Sequence, residues 1–163
     1  CGGKVQAQEG SERWESNSVE RPARLITLSR EDARQLFAEG DPAGRWNVLI
    51  ALQERCAEEA GRSLSLDPSW HLLQQALDNH AAEGGLVAAR QLFAEGRPLP
   101  GLEAGRDVTM MRPDLVPHAA RELAGIVDGW PREDPLWQML QSVAALVDHA
   151  ARDEYCLVFV SGV

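Results

Sequence analysis

The stretch "DPLWQMLQSVAALVDHAARDEYCLVFVSG", Asp134 to Gly162, decides how the rest of the chain is read. Leu136, Met139, Leu140, Val143, Leu146, Val147 and Ala150 recur at the three-and-four spacing of one helix face, with polar residues between them, which predicts an amphipathic helix. The period breaks at Arg152-Asp153-Glu154. From Tyr155 onward "YCLVFVSG" is almost continuously apolar, and such a run, too short for a buried helix, predicts a strand placed inside a sheet. A long helix leading into an interior strand calls for further strands beside it and further helices to cover them.

Working backward, "RPDLVPHAARELAGIVDGW" predicts a helix that starts near Pro113 and bends at Pro117, and "DVTMM" before it predicts a strand. "RPLPGLEAGRD", Arg97 to Asp107, is rich in Gly and Pro and reads as a loop. In "LSLDPSWHLLQQALDNH", Asp67 is placed as N-cap and Pro68 at the first helical position, with Trp70, Leu72, Leu73, Ala76 and Leu77 on the buried face. A helix over about Ala43 to Ala60 carries Trp46, Leu49, Ile50, Leu52 and Cys56 on its apolar side and ends at Gly61. Near the start, "ARLITL" (Ala23 to Leu28) predicts a strand. Ser29 and Asp32 resemble a capping box with Asp in place of Glu, opening a helix that Gly40 closes. The expected fold is α+β, several helices packed on a small sheet formed by the first, middle and last strands.

The octet ARQLFAEG occurs twice, at Ala33 to Gly40 and at Ala89 to Gly96. A solenoid would repeat over about 20 to 50 residues in three or more copies. One matched octet with unlike flanks reads instead as two short helices, each closed by its glycine, the other reading being a pair of docking surfaces for a symmetric partner.

The chain has 163 residues, 44% apolar and 25% charged, which suits one ordinary domain. Residues 22–163 are expected to form it, after a polar segment, residues 1–21, that reads as a flexible tether with a reach of roughly 25 Å. The net charge is −9, from 25 acidic and 16 basic residues, and no Lys or Arg stripe is present, which argues against nucleic acid as a partner. An acidic surface suits a basic protein partner through steering of encounter, and equally serves solubility.

No motif for catalysis stands out. The four histidines lack metal-ligand spacing, so no metal and no cofactor is expected, and no G-x-S-x-G elbow, phosphate loop or dinucleotide fingerprint occurs. His71 beside Trp70 is the one candidate for an unrecognised ligand or hydrolase site; its simpler reading is a histidine on a helix next to a core Trp. Trp130, in the turn-like "VDGWPRED", is read either as an anchor for a partner or as packing over a helix end.

The opening "CGGKVQAQEGSERWESNS", with Cys1, Gly2 and Gly3 before a polar run, resembles a processed bacterial lipoprotein whose first cysteine carries lipid. That resemblance implies lipidation at Cys1, a periplasmic location and anchoring to the outer membrane, with the membrane touched only through the N-terminal lipid. Cys56 and Cys156 then remain as an even pair, either joined in a disulfide or left as two buried thiols.

Three segments together resemble the YfbM-like family of small bacterial domains: "LITLSREDARQLF", "LSLDPSWHLLQQAL" with its L-D-x-x-W, and the terminal "LVDHAARDEYCLVFVSG". The resemblance covers most of Arg24 to Gly162 and brings no catalytic residues with it. On an exported scaffold of this kind it implies an immunity protein that occludes the active cleft of a type VI-delivered toxin, a muramidase-like peptidoglycan hydrolase. The expected contacts are Arg97, Leu99, Glu103, Arg106 and Asp107 of the loop, together with Trp130. The alternative is an envelope ligand-binding protein or hydrolase with a site near Trp70 and His71.

Overall fold

The computed structural model describes residues 23–82, 87–93, 96–99 and 108–161. Among them the terminal strand β5 (Cys156–Ser161) is the centre of the molecule, buried at every position. It lies between β1 (Ala23–Leu28) and β4 (Val108–Met111), and the outer strands are β2 (Ser63–Leu66) beside β1 and β3 (Arg97–Pro98) beside β4. Every pairing in this five-stranded sheet, order β2-β1-β5-β4-β3, is antiparallel. The apolar run of β5 follows from that place, because helices cover both faces of the sheet and neither face of the strand meets water.

The helices are α1 (Arg30–Ala38), α2 (Pro42–Glu58), α3 (Trp70–Ala82), α4 (Val116–Gly129) and α5 (Trp137–Arg152). On one face Leu25, Leu157, Phe159 and Met111 pack with Leu73 and Leu77 of α3, Leu123 of α4, and Leu140, Val143 and Val147 of α5. On the other face Ile26, Leu28, Val158 and Val160 pack with Leu36 of α1 and Leu49, Leu52 and Cys56 of α2. The α+β expectation is met, with the first, middle and last strands adjacent in the order β1, β5, β4.

Two strands were not expected. "SLSL" forms β2, paired from Ala23↔Leu66 to Ile26↔Ser63, after Gly61 turns the chain with a positive φ of 79°. Asp67 therefore caps a turn rather than the helix itself: its carboxylate accepts from the Ser69 amide at 2.9 Å, and α3 begins only at Trp70. Leu72, expected on the buried face, is 46% exposed, and Gln74 takes a buried place instead. Arg97 and Pro98, expected in a loop, form β3. Pro117 does not bend α4, because it sits in the first turn, where a missing N–H costs nothing.

Ser29 caps α1 by accepting from the Asp32 amide at 3.2 Å. The reciprocal half of a capping box is absent, since the Asp32 carboxylate turns to two arginines. Gly40 does not close α1 either; Glu39 ends it in an extended conformation, and its carbonyl accepts from Arg45 Nη2 at 2.8 Å.

The two octets fold differently. The first is most of α1, whereas the second gives only a 3-10 turn at Ala89–Gln91. Tertiary contacts hold the second: the Glu122 carboxylate of α4 accepts from the amides of Val87 (2.6 Å) and Ala88 (3.0 Å), and Thr109 Oγ1 donates to the Phe93 carbonyl at 2.6 Å. A Cβ on Gly96 would stand 2.7 Å from the Gln91 carbonyl oxygen, so only glycine fits there. Equivalent phenylalanines end in opposite settings, Phe37 43% exposed and Phe93 wholly buried.

Candidate functional site

Where β1, β4 and β5 end, α1 on one face of the sheet and the start of α4 on the other leave a groove of about 760 Å³ between them. Leu28, Met110 and Cys156 form its floor, Ala33 and Phe37 line the α1 wall, and Pro113 and Pro117 line the α4 wall. Charges stand at its mouth: Arg30 and Arg34, one helical turn apart on α1, against Asp114 and Glu154 on the other side. Mostly apolar walls with a few placed charges, at this volume, match the usual makeup of a binding cleft.

Glu154 occupies this mouth in an unusual backbone conformation. Its φ is 59°, in the left-handed region that glycine normally takes. The end of α5 requires it, because the Tyr155 amide donates to the Ala150 carbonyl at 2.9 Å and the Glu154 amide to that of Ala151 at 3.3 Å. This is the double hydrogen bond of a Schellman cap.

Close by, a charge cluster joins α1, α2 and the turn into β2. Arg62 Nη2 donates to Asp32 at 3.1 Å and to the Thr27 carbonyl at 2.9 Å, while its Nη1 reaches Glu59 at 3.0 Å. Arg55 approaches the other Asp32 oxygen, and the Arg62 guanidinium lies 5.1 Å from the centre of the Tyr155 ring. Burial works against the charge of Asp32, but hydrogen bonds from Arg62, Arg55 and Ser29 outweigh it and hold the carboxyl below its ordinary value. Burial likewise opposes the charge of Arg62, and Glu59 and Asp32 more than offset it, so its pKa is raised. A satisfied cluster of this kind locks β1 to the α2–β2 turn.

At the other end of β4 the Leu99 amide donates to the Val108 carbonyl at 3.0 Å, tying together the residues on either side of positions 100–107. Leu99 is 2% exposed and packs in the core, so it anchors this neck and is not available as a partner contact. Arg97 is exposed on the outermost strand. Glu103, Arg106 and Asp107, like Cys1 and the rest of the tether, lie outside the described residues.

Trp130 ends α4, its amide donating to the Val127 carbonyl at 3.3 Å, and its half-buried ring packs on the core, 5.9 Å from the His80 ring. Its indole nitrogen is shielded from solvent. This is the packing role, with the ring left partly exposed.

Cys56 and Cys156 are free and buried. Each thiol donates to a β1 carbonyl, Cys56 to Thr27 at 3.4 Å and Cys156 to Leu28 at 3.5 Å. Of the two readings left open by the sequence, the structure holds the unpaired one. Burial raises the pKa of both, that of Cys156 to about 11.

Trp70 packs into the core, with its ring 4.9 Å from Phe159 and 6.0 Å from Phe93, and His71 is exposed with Nδ1 2.8 Å from the Pro68 carbonyl. A second cavity of about 430 Å³ lies near, lined by Asp67, Ser69, Gln138 and Ser142 among others, but neither Trp70 nor His71 borders it. Neither this cavity nor the groove between α1 and α4 is lined by Trp70 or His71. Among the described residues no three His, Cys, Asp or Glu side chains come together as a metal site would require, and no helix is long and apolar enough to cross a membrane.

No family model, curated protein or solved structure matches the chain. Sequence reading missed the groove, with Phe37, Arg34 and Glu154. Two signals for it were present: an octet used twice, whose two phenylalanines need not share one fate, and a long helix ending in "RDEY" with no glycine to take the left-handed position.

Proposed function

We propose that this protein is an inhibitor of the immunity class, which binds a secreted cell-wall-cutting hydrolase and occludes its cleft with the segment between β3 and β4. The observation that supports the reading is the neck formed by Leu99 and Val108. A buried side chain and a backbone hydrogen bond of 3.0 Å fix both attachment points of residues 100–107 at the open edge of the sheet. Binding segments held on a rigid scaffold lose less freedom on docking, and interaction residues concentrate on such connections. The net charge of −9 adds steering toward a basic enzyme.

The test uses the full chain against the hydrolase it captures from envelope extract of its source. Capture at near-equal amounts, together with loss of peptidoglycan hydrolysis on adding the purified chain, is the expected result. Charge reversal at Glu103 and Asp107 should weaken capture at least roughly tenfold, in keeping with buried or central interface charges. Hydrolysis unchanged by a stoichiometric excess of the chain would overturn the inhibitor reading. Unchanged binding by the reversed variants would overturn the assignment of the segment.

A further inference from the structure

The groove between α1 and α4 carries opposite charges on its two walls, and we propose that its occupant is a second copy of this chain, seated face to face about a twofold axis that runs along the groove. Such an axis carries the α1 wall of one copy over the α4 wall of the other, and does so twice. Arg30 and Arg34 of each copy then face Asp114 and Glu154 of the other.

Three observations converge on this occupant. Asp114 is already engaged by Arg112 at 3.1 Å, but Arg30, Arg34 and Glu154 have no ion-pair partner among the described residues, so the α1 wall presents two uncompensated positive charges and the opposite side one negative charge. Phe37 is 43% exposed on the basic wall, an apolar ring that a facing copy would cover with Pro113 and Pro117. Glu154 stands at a left-handed position where glycine would be less strained, and strain of this kind gathers where a side chain is needed for contact. A ligand of single charge, such as a fatty carboxylate, would satisfy Arg34 and leave Glu154 opposed; a surface bearing both signs satisfies both.

This association goes beyond the inhibitor reading and does not compete with it. The groove lies at the Met110 end of β4 and the neck at the Val108 end.

Sedimentation velocity of the full chain over a range of concentrations is the test, with Arg34→Glu, Glu154→Arg and an equimolar mixture of the two. The wild type should show a reversible monomer–dimer equilibrium. Each single variant converts two symmetry-related attractions into repulsions and should dimerise roughly tenfold or more weakly. In the mixture, the glutamate introduced at position 34 of one variant meets the arginine introduced at position 154 of the other. The native Arg34 and Glu154 that remain also meet, so both contacts return and dimers should reappear. Glu154→Gly separates contact from folding: its melting temperature, read at a concentration where the wild type is monomeric, should rise as the strain is relieved, while dimerisation weakens. A wild type that stays monomeric throughout would overturn the proposal and leave the groove to a different occupant. So would a dimer insensitive to both reversals, or a mixture that fails to restore one.

Discussion

Replacing Asp32 by Asn tests the charge cluster that ties β1 to the α2–β2 turn. The Asp32 and Arg62 side chains are only 10% and 11% exposed, so loss of the carboxylate charge strands a guanidinium that water barely reaches. Breaking a fully buried pair in this way costs about 3–5 kcal/mol. Arg62 keeps the Thr27 carbonyl at 2.9 Å and the half-exposed Glu59 at 3.0 Å, which lowers the expected loss to about 2–3 kcal/mol. Arg55 is 48% exposed and its share is below about 1 kcal/mol. For a domain of this size the total corresponds to a fall in melting temperature of roughly 5–10 °C. Urea unfolding followed by circular dichroism measures the loss directly, with the slope unchanged if the denatured state is unaffected.

The pH dependence makes the test sharper. Asp32 is held below its ordinary pKa by its arginine partners, so its contribution is present above the unfolded value, about 4, and is lost as pH falls through the folded value. The gap between wild type and Asp32→Asn should be full near neutral pH and should narrow below about pH 4. A loss under about 0.5 kcal/mol, or a gap that stays constant down to about pH 2, would refute the account of a buried, arginine-stabilised carboxylate.

Two further outcomes follow from the same structure. Phe93→Ala should cost about 3–5 kcal/mol in urea unfolding and Phe37→Ala less than about 1 kcal/mol, although both residues occupy the fifth position of an identical octet. Equal costs would contradict the packing described. Cys56 and Cys156, buried and with raised pKa, should resist an aromatic disulfide reagent in the folded state near neutral pH and react promptly in denaturant; prompt reaction of either in the native protein would refute its placement.

Much of the fold was legible because periodicity reports burial locally. The face of α5 and the apolar run of β5 each need only their own residues to show which sides are covered, and both were read with nearly correct bounds. β2 was not, because four residues of "SLSL" become a strand only by pairing with β1, and that partner lies about forty positions earlier. Leu72 was misplaced for a related reason: α3 turns the stripe of Leu73, Gln74 and Leu77 inward, and Leu72 falls beside it, which only the packing against the sheet decides. Leu99 was read as a contact from local composition, yet its neighbours across the fold bury it at the sheet edge, and Trp130, left open between anchor and packing, packs partly buried on the core.

By itself the sequence determined the α+β class, the helix that leads into the central strand, the acidic balance and the lack of any recognisable catalytic motif. Tertiary structure alone decided what each copy of ARQLFAEG becomes. At Ala33–Gly40 the cap at Ser29 and an open flank allow a helix with Phe37 at a groove; at Ala89 the Glu122 carboxylate and Thr109 seize the backbone and draw Phe93 into the core. Equal local propensities cannot separate these outcomes, because the energies that do so come from residues of other elements.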